Sequence, residues 1–234
     1  MKHPFALATV LAVALTMVVS APASAATSTI NVPDDFVKAL SDTRSAGHYE
    51  VVGTGLRIHT DNATKDAKVA EYVSARVRLA KVGEPALDYK ESFGALPGFQ
   101  LVVDFDGDGT RDGILVGETV YGNDWWASNG SAAFVKEGAP ITGGGSGSAF
   151  HGTLDGWRTA FPKAVVLAFG FSLGSGVYAE GTLNAIEFNG TRYTFSESVG
   201  LAPKAECKNG GWATSTAPVF RNQGACVTSF APGK

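Results

Sequence analysis

Apolar and polar residues alternate along several segments of this chain, and this pattern predicts β-strands. Residues 73–82 carry valine, alanine or leucine at every second position through residue 79, with serine and arginine between them, as expected for a half-buried strand. Residues 99–103, 114–120 and 165–171 are apolar runs of β-forming residues. Residues 49–60 are also rich in β-branched residues, and we expect one strand there.

Two further segments have the spacing of short helices, and one dipeptide predicts a hairpin. Within residues 34–44, three apolar residues recur at helical spacing behind two aspartates, which favour the first turn of a helix. Residues 153–161 predict one or two helical turns, because a proline follows them directly. Asn189-Gly190 lies between two apolar segments and is the strongest short signal for a hairpin.

These elements together predict a mostly β protein, an antiparallel β-sandwich that is jelly-roll-like, with one or two short helices. A doubly wound α/β fold is not expected, because it needs several amphipathic helices between its strands. The 29 glycines of the chain suit many tight turns. We expect the sandwich to occupy residues 26–201. Residues 202–234 are expected to form a small tail closed by a disulfide.

The N-terminal residues 1–25 have the three-part pattern of a secretory signal peptide. A basic start at Lys2 and His3 precedes an uncharged apolar run, which ends in small residues up to Ala25. The apolar run is shorter than the ~20 residues that a membrane-spanning helix requires. We therefore expect cleavage before Ala26, a secreted, extracellular protein, and no membrane span after signal cleavage.

The charge of the chain argues against nucleic-acid binding. It has 19 lysines and arginines against 22 aspartates and glutamates, a net charge of −3, and no block of basic residues. Proteins that bind nucleic acids owe most of their affinity to clustered lysine and arginine. We therefore expect no nucleic acid among the partners of this protein.

Cys207 and Cys226 are the only cysteines, and in an exported protein two cysteines most simply form one disulfide. Two free thiols or one intermolecular bridge are the alternatives. The histidines His48, His59 and His151 lie far apart in the sequence and lack the spacing of metal ligands. We therefore expect them to be surface or packing residues.

The sharpest chemical motif is an acidic segment between two apolar runs. Its aspartates occupy positions 1, 3, 5 and 9 of a loop with glycine at position 6, and alternate carboxylates on a tight loop converge on one point. Ca²⁺ requires about six to eight oxygen ligands, and aspartates packed this closely repel one another without a cation. The predicted calcium ligands are Asp104, Asp106, Asp108, Thr110 through its backbone carbonyl, and Asp112.

This acidic segment resembles the calcium loops that join two strands in integrin-type β-propeller repeats. The resemblance covers the loop and not the fold, since a propeller would repeat the motif and one copy occurs here. An EF-hand is not expected, because Leu115 stands where that motif requires a bidentate glutamate. The resemblance implies a structural Ca²⁺ at a strand-to-strand turn. An acidic turn without an ion, exposed to water, is the alternative.

Gly170-Phe-Ser172-Leu-Gly174 matches the nucleophile-elbow pattern, but the rest of the chain argues against a serine hydrolase. That fold needs a helix after the serine and a histidine later in the chain, and no histidine follows His151. A bend where strands approach closely is the simpler interpretation. Glycoside hydrolysis by paired carboxylates stays open. Its candidates are Glu118, Asp124, Glu180 and Glu187.

The candidate ligand-binding residues follow the second apolar run beside the acidic segment. Adjacent tryptophans on a strand point to opposite faces, so one can pack in the core while the other is exposed and stacks on a sugar ring. The alternative is that both tryptophans are packed beneath neighbouring loops. The candidates are Tyr121, Asn123, Asp124, Trp125 and Trp126.

The C-terminal tail, with CKNGGW from Cys207 and FRNQGACV up to Val227, resembles a tail found in exported actinobacterial proteins of unassigned activity. Residues 154–176 also resemble a segment of proteins in that group. The resemblance implies a secreted, envelope-associated and non-enzymatic protein, and it implies no catalytic residue. We expect a calcium-stabilised binding module for a carbohydrate or cell-envelope ligand. The alternatives are a secreted glycan-active enzyme and a structural surface protein without a small ligand.

Overall fold

The structure is a computed structural model that describes residues 26–142, 147–201 and 203–231. The predicted signal peptide lies outside the described residues, and so does part of the glycine-rich segment 138–148. The described residues form the following strands: β1 (Ala26–Val32), β2 (Gly47–Val52), β3 (Gly55–Thr60), β4 (Lys68–Arg78), β5 (Ala86–Phe93), β6 (Gly98–Asp104), β7 (Gly113–Gly117), β8 (Asp124–Ala127), β9 (His151–Thr153), β10 (Val165–Gly174), β11 (Glu180–Phe188) and β12 (Thr191–Glu197). The short α-helices are α1 (Ala133–Glu137), α2 (Leu154–Ala160) and α3 (Gln223–Ser229).

The strands form two six-stranded sheets, so the predicted β-sandwich is confirmed. The first sheet has the order β1-β12-β11-β3-β2, and β5 pairs with the opposite edge of β11. The second sheet has the order β4-β10-β6-β7-β8-β9. The strand pairs are antiparallel except that of β1 with β12, which is parallel.

The hydrophobic core lies between the two sheets. Phe169 and Phe171 of β10 and Leu101 of β6 point inward from the second sheet, and Leu183 and Ile186 of β11 belong to the same cluster. Each of these side chains is at most 1% exposed. Burial of an apolar side chain of this size contributes about 1.5–3 kcal/mol to stability. The alternating residues of β4 also fit the prediction, because its second half alternates between half-buried and exposed positions.

Residues 34–44 do not form the helix that the apolar spacing predicted. The segment runs along the edge of β4 instead, with Phe36 in an isolated β-bridge to Val73. The backbone N–H of Val37 donates to the carbonyl of Tyr72 at 2.8 Å, and that of Asp42 to the carbonyl of Ala70 at 2.9 Å. Pairing with the edge strand satisfies these backbone groups, and this tertiary contact outweighs the helical spacing.

Residues 49–60 are not one strand but the hairpin of β2 and β3. The turn between the strands contains Gly53, whose φ of 62° is in the left-handed region that glycine adopts without strain. The predicted Asn189-Gly190 hairpin is confirmed between β11 and β12, with φ of 51° and 74° at these residues. Positive φ at both residues is the signature of a type I′ turn, which matches the twist of paired strands.

The C-terminal tail contains the predicted disulfide. Cys207 and Cys226 are bonded, and both are fully buried in a small cluster with Phe220. Trp212 packs against this cluster, as expected for a residue within the disulfide loop. The cluster is separate from the core between the sheets, so the tail has its own small apolar centre.

Candidate functional site

A cavity of about 670 Å³ opens where the end of β7 in the second sheet faces β5 in the first. Its walls contain the aromatic side chains of Tyr89, Phe99 and Trp125. The polar residues Glu118 and Asn123 also border it. A concave site with apolar walls and a few polar groups is the usual form of a small-ligand site.

The register of the second sheet places two of these aromatic rings side by side. Phe99 is paired with Gly117, and Gly117 with Trp125, so these residues form one row across three strands. A Cβ atom on Gly117 would lie 2.8 Å from the Trp125 indole, so the absent side chain leaves room for the ring. The rings of Phe99 and Trp125 meet edge to face, with centroids 5.8 Å apart.

Helix α2 closes one side of the cavity and confirms the prediction for residues 153–161. Its first turn is capped by Thr153, whose hydroxyl accepts a hydrogen bond from the N–H of Gly156 at 3.1 Å. The indole N–H of the fully buried Trp157 donates to the carbonyl of Trp125 at 2.9 Å. This bond ties the helix to β8, the strand that supplies the cavity's tryptophan.

The side chain of Glu118 is half-buried on the outer face of the second sheet, where it lies against Gly98 and the indole of Trp126, so Glu118 borders the cavity without directing its carboxyl into it. Burial raises its pKa. The nearby indole N–H of Trp126 partly opposes this shift, although it falls short of a full hydrogen bond. Burial also raises the pKa of Tyr89 to about 12, and the charge of Glu91 adds to this effect. Burial therefore favours the neutral forms of both groups.

The other acids of the cavity wall, Glu84 and Asp155, are held by one arginine. Arg158 Nη1 lies 2.9 Å from Glu84 Oε1 and 2.6 Å from Asp155 Oδ1. The Arg158 side chain itself is 15% exposed and is not among the residues that line the cavity. Glu84 and Asp155 are therefore both paired with Arg158, which lies outside the cavity wall. Glu118 has no ion pair among the described residues.

The structure divides four of the five candidate ligand-binding residues between two places and leaves Tyr121 outside both. Asn123 and Trp125 line the cavity, with Trp125 only 6% exposed. Asp124 and Trp126 point to the outer face of the second sheet, away from the core. Trp126 lies against Gly147, where a Cβ atom would be 2.5 Å from the indole. Tyr121 is half-buried in a 3-10 turn and does not line the cavity.

The carboxylates considered for glycoside hydrolysis are also separated. Glu118 lines the cavity, whereas Asp124 is bonded to His151 on the outer face. Glu180 forms an ion pair with Arg57 at 3.0 Å. Glu187 lies 2.8 Å from Arg192, so neither of these two faces the cavity.

The glycine-rich segment around Ser172 is part of a continuous strand. Ser172 is 6% exposed, and its hydroxyl donates to the carbonyl of Gly174 at 3.3 Å. A Cβ atom on Gly170 would lie 2.0 Å from the carbonyl oxygen of Glu71, which confirms close approach of the strands there. A buried serine within β10 does not form a nucleophile elbow.

The acidic segment is the connection between the paired strands β6 and β7, as predicted. Carboxylate oxygens of Asp104, Asp106 and Asp108 all lie within 4.8 Å of one another. Asp104 is 1% exposed, and its two oxygens accept from the N–H of Gly107 at 2.7 Å and of Gly109 at 2.8 Å. Each carboxylate oxygen has a second lone pair that these bonds leave available.

Thr110 and Asp112 lie outside this group of three carboxylates. The N–H of Thr110 donates to Asp108 Oδ1 at 2.7 Å, and the N–H of Asp108 donates to Asp106 Oδ1 at 3.0 Å. Asp112 Oδ2 accepts from the N–H of Phe105 at 2.7 Å, which closes the base of the loop. The loop can therefore offer three converging carboxylates to a cation, with Asp112 holding the turn.

Sequence reasoning missed the half of the cavity that comes from the first sheet. Tyr89, Leu87 and Leu96 line it, but they lie far in sequence from the acidic loop and the tryptophans. The sequence around each of these residues does not indicate that they share a cavity with the tryptophan, because that depends on how the two sheets pack.

Comparisons of the chain with protein-family models, with curated proteins and with solved structures gave no significant match. Within the described ranges, no helix has the length and apolar character needed to cross a membrane. The functional interpretation therefore depends on the geometry of the cavity and the acidic loop.

Proposed function

We propose that this protein is a secreted, calcium-stabilised β-sandwich module that binds a neutral carbohydrate unit in the cavity between its sheets. The observation that carries the proposal is the cavity, which combines Tyr89, Phe99 and Trp125 with the polar residues Thr119 and Asn123. Sugar rings have apolar C–H faces and polar edges, and such a wall offers partners for both.

The size of the cavity supports a ligand of one or a few sugar units. Its volume of about 670 Å³ is within the range of about 300–1,000 Å³ that is usual for small-molecule sites. The aromatic side chains would contact the apolar faces of the sugar rings, while Asn123 would bond to hydroxyls.

The charges around the cavity favour a neutral glycan over an anionic polymer of the cell envelope. The residues that line the cavity include no lysine or arginine, and its two acids Glu84 and Asp155 already share Arg158. Recognition of anionic ligands generally uses arginine or lysine.

The calcium part of the proposal is supported by the donor set of the β6–β7 loop. The three converging carboxylates of Asp104, Asp106 and Asp108 are hard oxygen ligands, which Ca²⁺ prefers. The buried position of Asp104 leaves its charge poorly screened by water. A bound Ca²⁺ would offset the repulsion within this group and stabilise the turn, and it would take no part in ligand binding.

The binding proposal is tested with an array of neutral and acidic glycans, followed by isothermal titration calorimetry of each hit. We expect neutral oligosaccharides to bind, and Asn123→Ala to weaken binding about tenfold, since it removes a hydrogen bond to a buried ligand. Asn129→Ala is the matched control, because Asn129 is exposed and outside the cavity. Equal loss in the control, or binding restricted to acidic glycans, would contradict the proposal.

A second candidate function, a secreted glycan-active enzyme, is favoured by one observation. Burial raises the pKa of Glu118, a residue at the edge of the cavity, and a general acid requires such a raised pKa. Release of reducing sugars from a polysaccharide, lost in Glu118→Gln but retained in Asn129→Ala, would establish it. If neither binding nor turnover occurs, a structural surface protein without a small ligand is the remaining alternative.

A further inference from the structure

Two histidines whose separation in the sequence gave no sign of contact are direct neighbours in the fold. His48 of β2 is paired with His59 of β3. Their rings are stacked with centroids 4.9 Å apart and an interplanar angle of 23°. Asp61, which follows β3, lies beside both rings.

The Asp61 carboxylate contacts both imidazoles, one with each oxygen. His48 Nε2 lies 2.8 Å from Asp61 Oδ2, and His59 Nε2 lies 3.7 Å from Asp61 Oδ1. One ligand atom from each of the three residues lies within 4.8 Å of the other two. Two imidazoles and one carboxylate at this separation are a ligand set that transition metals use in proteins.

The backbone that carries these residues is held in place by the fold. The N–H of Asp61 donates to the carbonyl of Ala46 at 2.9 Å, which fixes Asp61 next to the start of β2. Thr60 is 1% exposed, and its hydroxyl donates to the carbonyl of Val177 at 2.6 Å. The three side chains therefore project from an ordered hairpin, and not from a loose loop.

We propose that His48, His59 and Asp61 bind one divalent transition-metal ion of the zinc type. Nitrogen ligands distinguish this site from the acidic loop between β6 and β7, where all the converging side-chain donors are oxygens. Imidazole suits Zn²⁺, Cu²⁺ and Ni²⁺, whereas Ca²⁺ and Mg²⁺ prefer oxygen. The site is independent of the cavity and of its proposed ligand.

The distances fit a metal ion after small side-chain rotations. Zinc bonds of about 2.0–2.1 Å in a tetrahedron place neighbouring ligand atoms about 3.4 Å apart. The two contacts of Asp61, at 2.8 Å and 3.7 Å, lie on either side of that value. The side chains of His48 and Asp61 are 45% and 52% exposed, so they are accessible to an ion and leave a coordination position for water.

The surrounding charges also favour a cation. Among the described residues, the ion pairs of Asp61 are those with the two histidines. The arginine on the same face, Arg57, is already paired with Glu50 at 2.6 Å and Glu180 at 3.0 Å. Nε2 is the His59 nitrogen that faces Asp61.

The first test is a zinc titration of the full mature chain without a polyhistidine tag, in excess Ca²⁺ so that the acidic loop does not compete. We expect one equivalent to bind by calorimetry. His48→Ala and Asp61→Asn should each weaken binding about tenfold or more. Glu50→Gln is the matched control, because it changes a neighbouring carboxylate outside the ligand set. Unchanged zinc affinity in both ligand variants would overturn the proposal.

The second test uses histidine NMR signals of the unchanged chain, and it therefore decides the question even if a variant does not fold. The imidazole signals of His48 and His59 should shift together up to one equivalent of zinc, while those of His151 stay in place. Signals of His48 and His59 that do not move at saturating zinc would refute the assignment.

Discussion

His151 and Asp124 form a hydrogen-bonded pair across β9 and β8, with His151 Nδ1 2.9 Å from Asp124 Oδ2. The hydroxyl of Thr142 donates to the same carboxylate oxygen and thereby fixes the start of the glycine-rich loop to the outer face of the second sheet. His151 is only 4% exposed. Asp124 therefore anchors a loop, although the sequence suggested a ligand-binding role for it.

The Asp124 carboxylate should make stability depend on pH in the acid range. The hydroxyl of Thr142, and then His151, hold the pKa of Asp124 below its usual value. Because the folded pKa is the lower one, the carboxylate stabilises the protein above the unfolded pKa of about 3.9 and loses this effect as the pH falls through the folded value. We expect Asp124→Asn to lower the free energy of unfolding by about 1 kcal/mol at pH 7.

The Asp124 prediction is checked by urea denaturation of wild type and Asp124→Asn between pH 7 and pH 2. The difference between the two proteins should disappear in the most acidic samples. Asp34→Asn, which changes an exposed aspartate, serves as the control. A difference that stays constant over the whole pH range would show that the charge of Asp124 is not responsible.

The acidic loop can be tested without breaking its turn. Asp106→Asn and Asp108→Asn remove charge but keep an oxygen that can accept the N–H bonds now made by Oδ1. If Ca²⁺ binds, 1 mM Ca²⁺ at a Kd near 10 µM adds about 2.7 kcal/mol, or about 5–10 °C in Tm for a chain of this length. We expect both variants to lose most of that gain, as measured by thermal melting with EDTA and with Ca²⁺.

A loop that binds no ion would give the opposite result in the same experiment. If no ion binds, removing one of the converging charges relieves repulsion, and Asp106→Asn melts at the same temperature as wild type or higher. The melting point of wild type would then also be the same in EDTA and in Ca²⁺. That pair of results would remove calcium from the proposed function.

The charged carboxylate of Glu118 should lower the stability of the folded protein at neutral pH. Because burial raises its folded pKa, the native state holds this proton more tightly than the unfolded chain does. Stability from this group is therefore greatest below the unfolded pKa of about 4.3 and falls as the pH rises through the folded value. We expect Glu118→Gln to melt a few degrees above wild type at pH 7 and to show no such gain at pH 3.5.

The matched control for Glu118 is Glu91→Gln, which changes an exposed glutamate on β5. Melting both variants by circular dichroism across the same pH series separates burial of one carboxyl from a general effect of net charge. A gain in Glu91→Gln as large as that in Glu118→Gln would contradict the burial argument.

The C-terminal tail should unfold without the sandwich when its disulfide is reduced. Cys207, Cys226 and Phe220 form a cluster of their own, so the crosslink supports a small apolar centre. A disulfide closing a loop of this size contributes about 3 kcal/mol. We expect reduction, or the double variant Cys207→Ser with Cys226→Ser, to raise hydrogen exchange in residues 204–231 while β6 and β10 stay protected. Equal loss of protection in those strands would show that the tail and sandwich unfold together.

Much of the strand structure could be predicted because its signals are local. The alternation in β4, the apolar runs of β6 and β10 and the Asn189-Gly190 turn each depend on residues that are neighbours in the chain. The helix predicted for residues 34–44 failed for the opposite reason. Its backbone groups bond to β4, a strand about thirty residues further along, and the helical spacing contains no information about that partner.

The acidic loop and the cavity also differ in how far the sequence could predict them. The acidic loop could be located because its aspartates are consecutive in the chain and one turn brings them together. Of the cavity, only Asn123, Trp125 and the acid Glu118 were foreseen, since Tyr89 reaches it from the other sheet. His48 and His59 are neighbours only because β2 and β3 form a hairpin, where the sequence predicts a single strand.

The sequence alone determined that the chain is a β-sandwich with an acidic strand-to-strand turn and a disulfide-closed tail, because residue alternation, turn chemistry and cysteine pairing need little knowledge of distant partners. The tertiary structure decided which tryptophan faces the cavity, which acid is half-buried at its edge and which histidines are neighbours. These outcomes depend on strand register and on sheet packing. A shift of one residue in register turns every side chain of a strand to the other face, and only the complete set of core contacts selects one register.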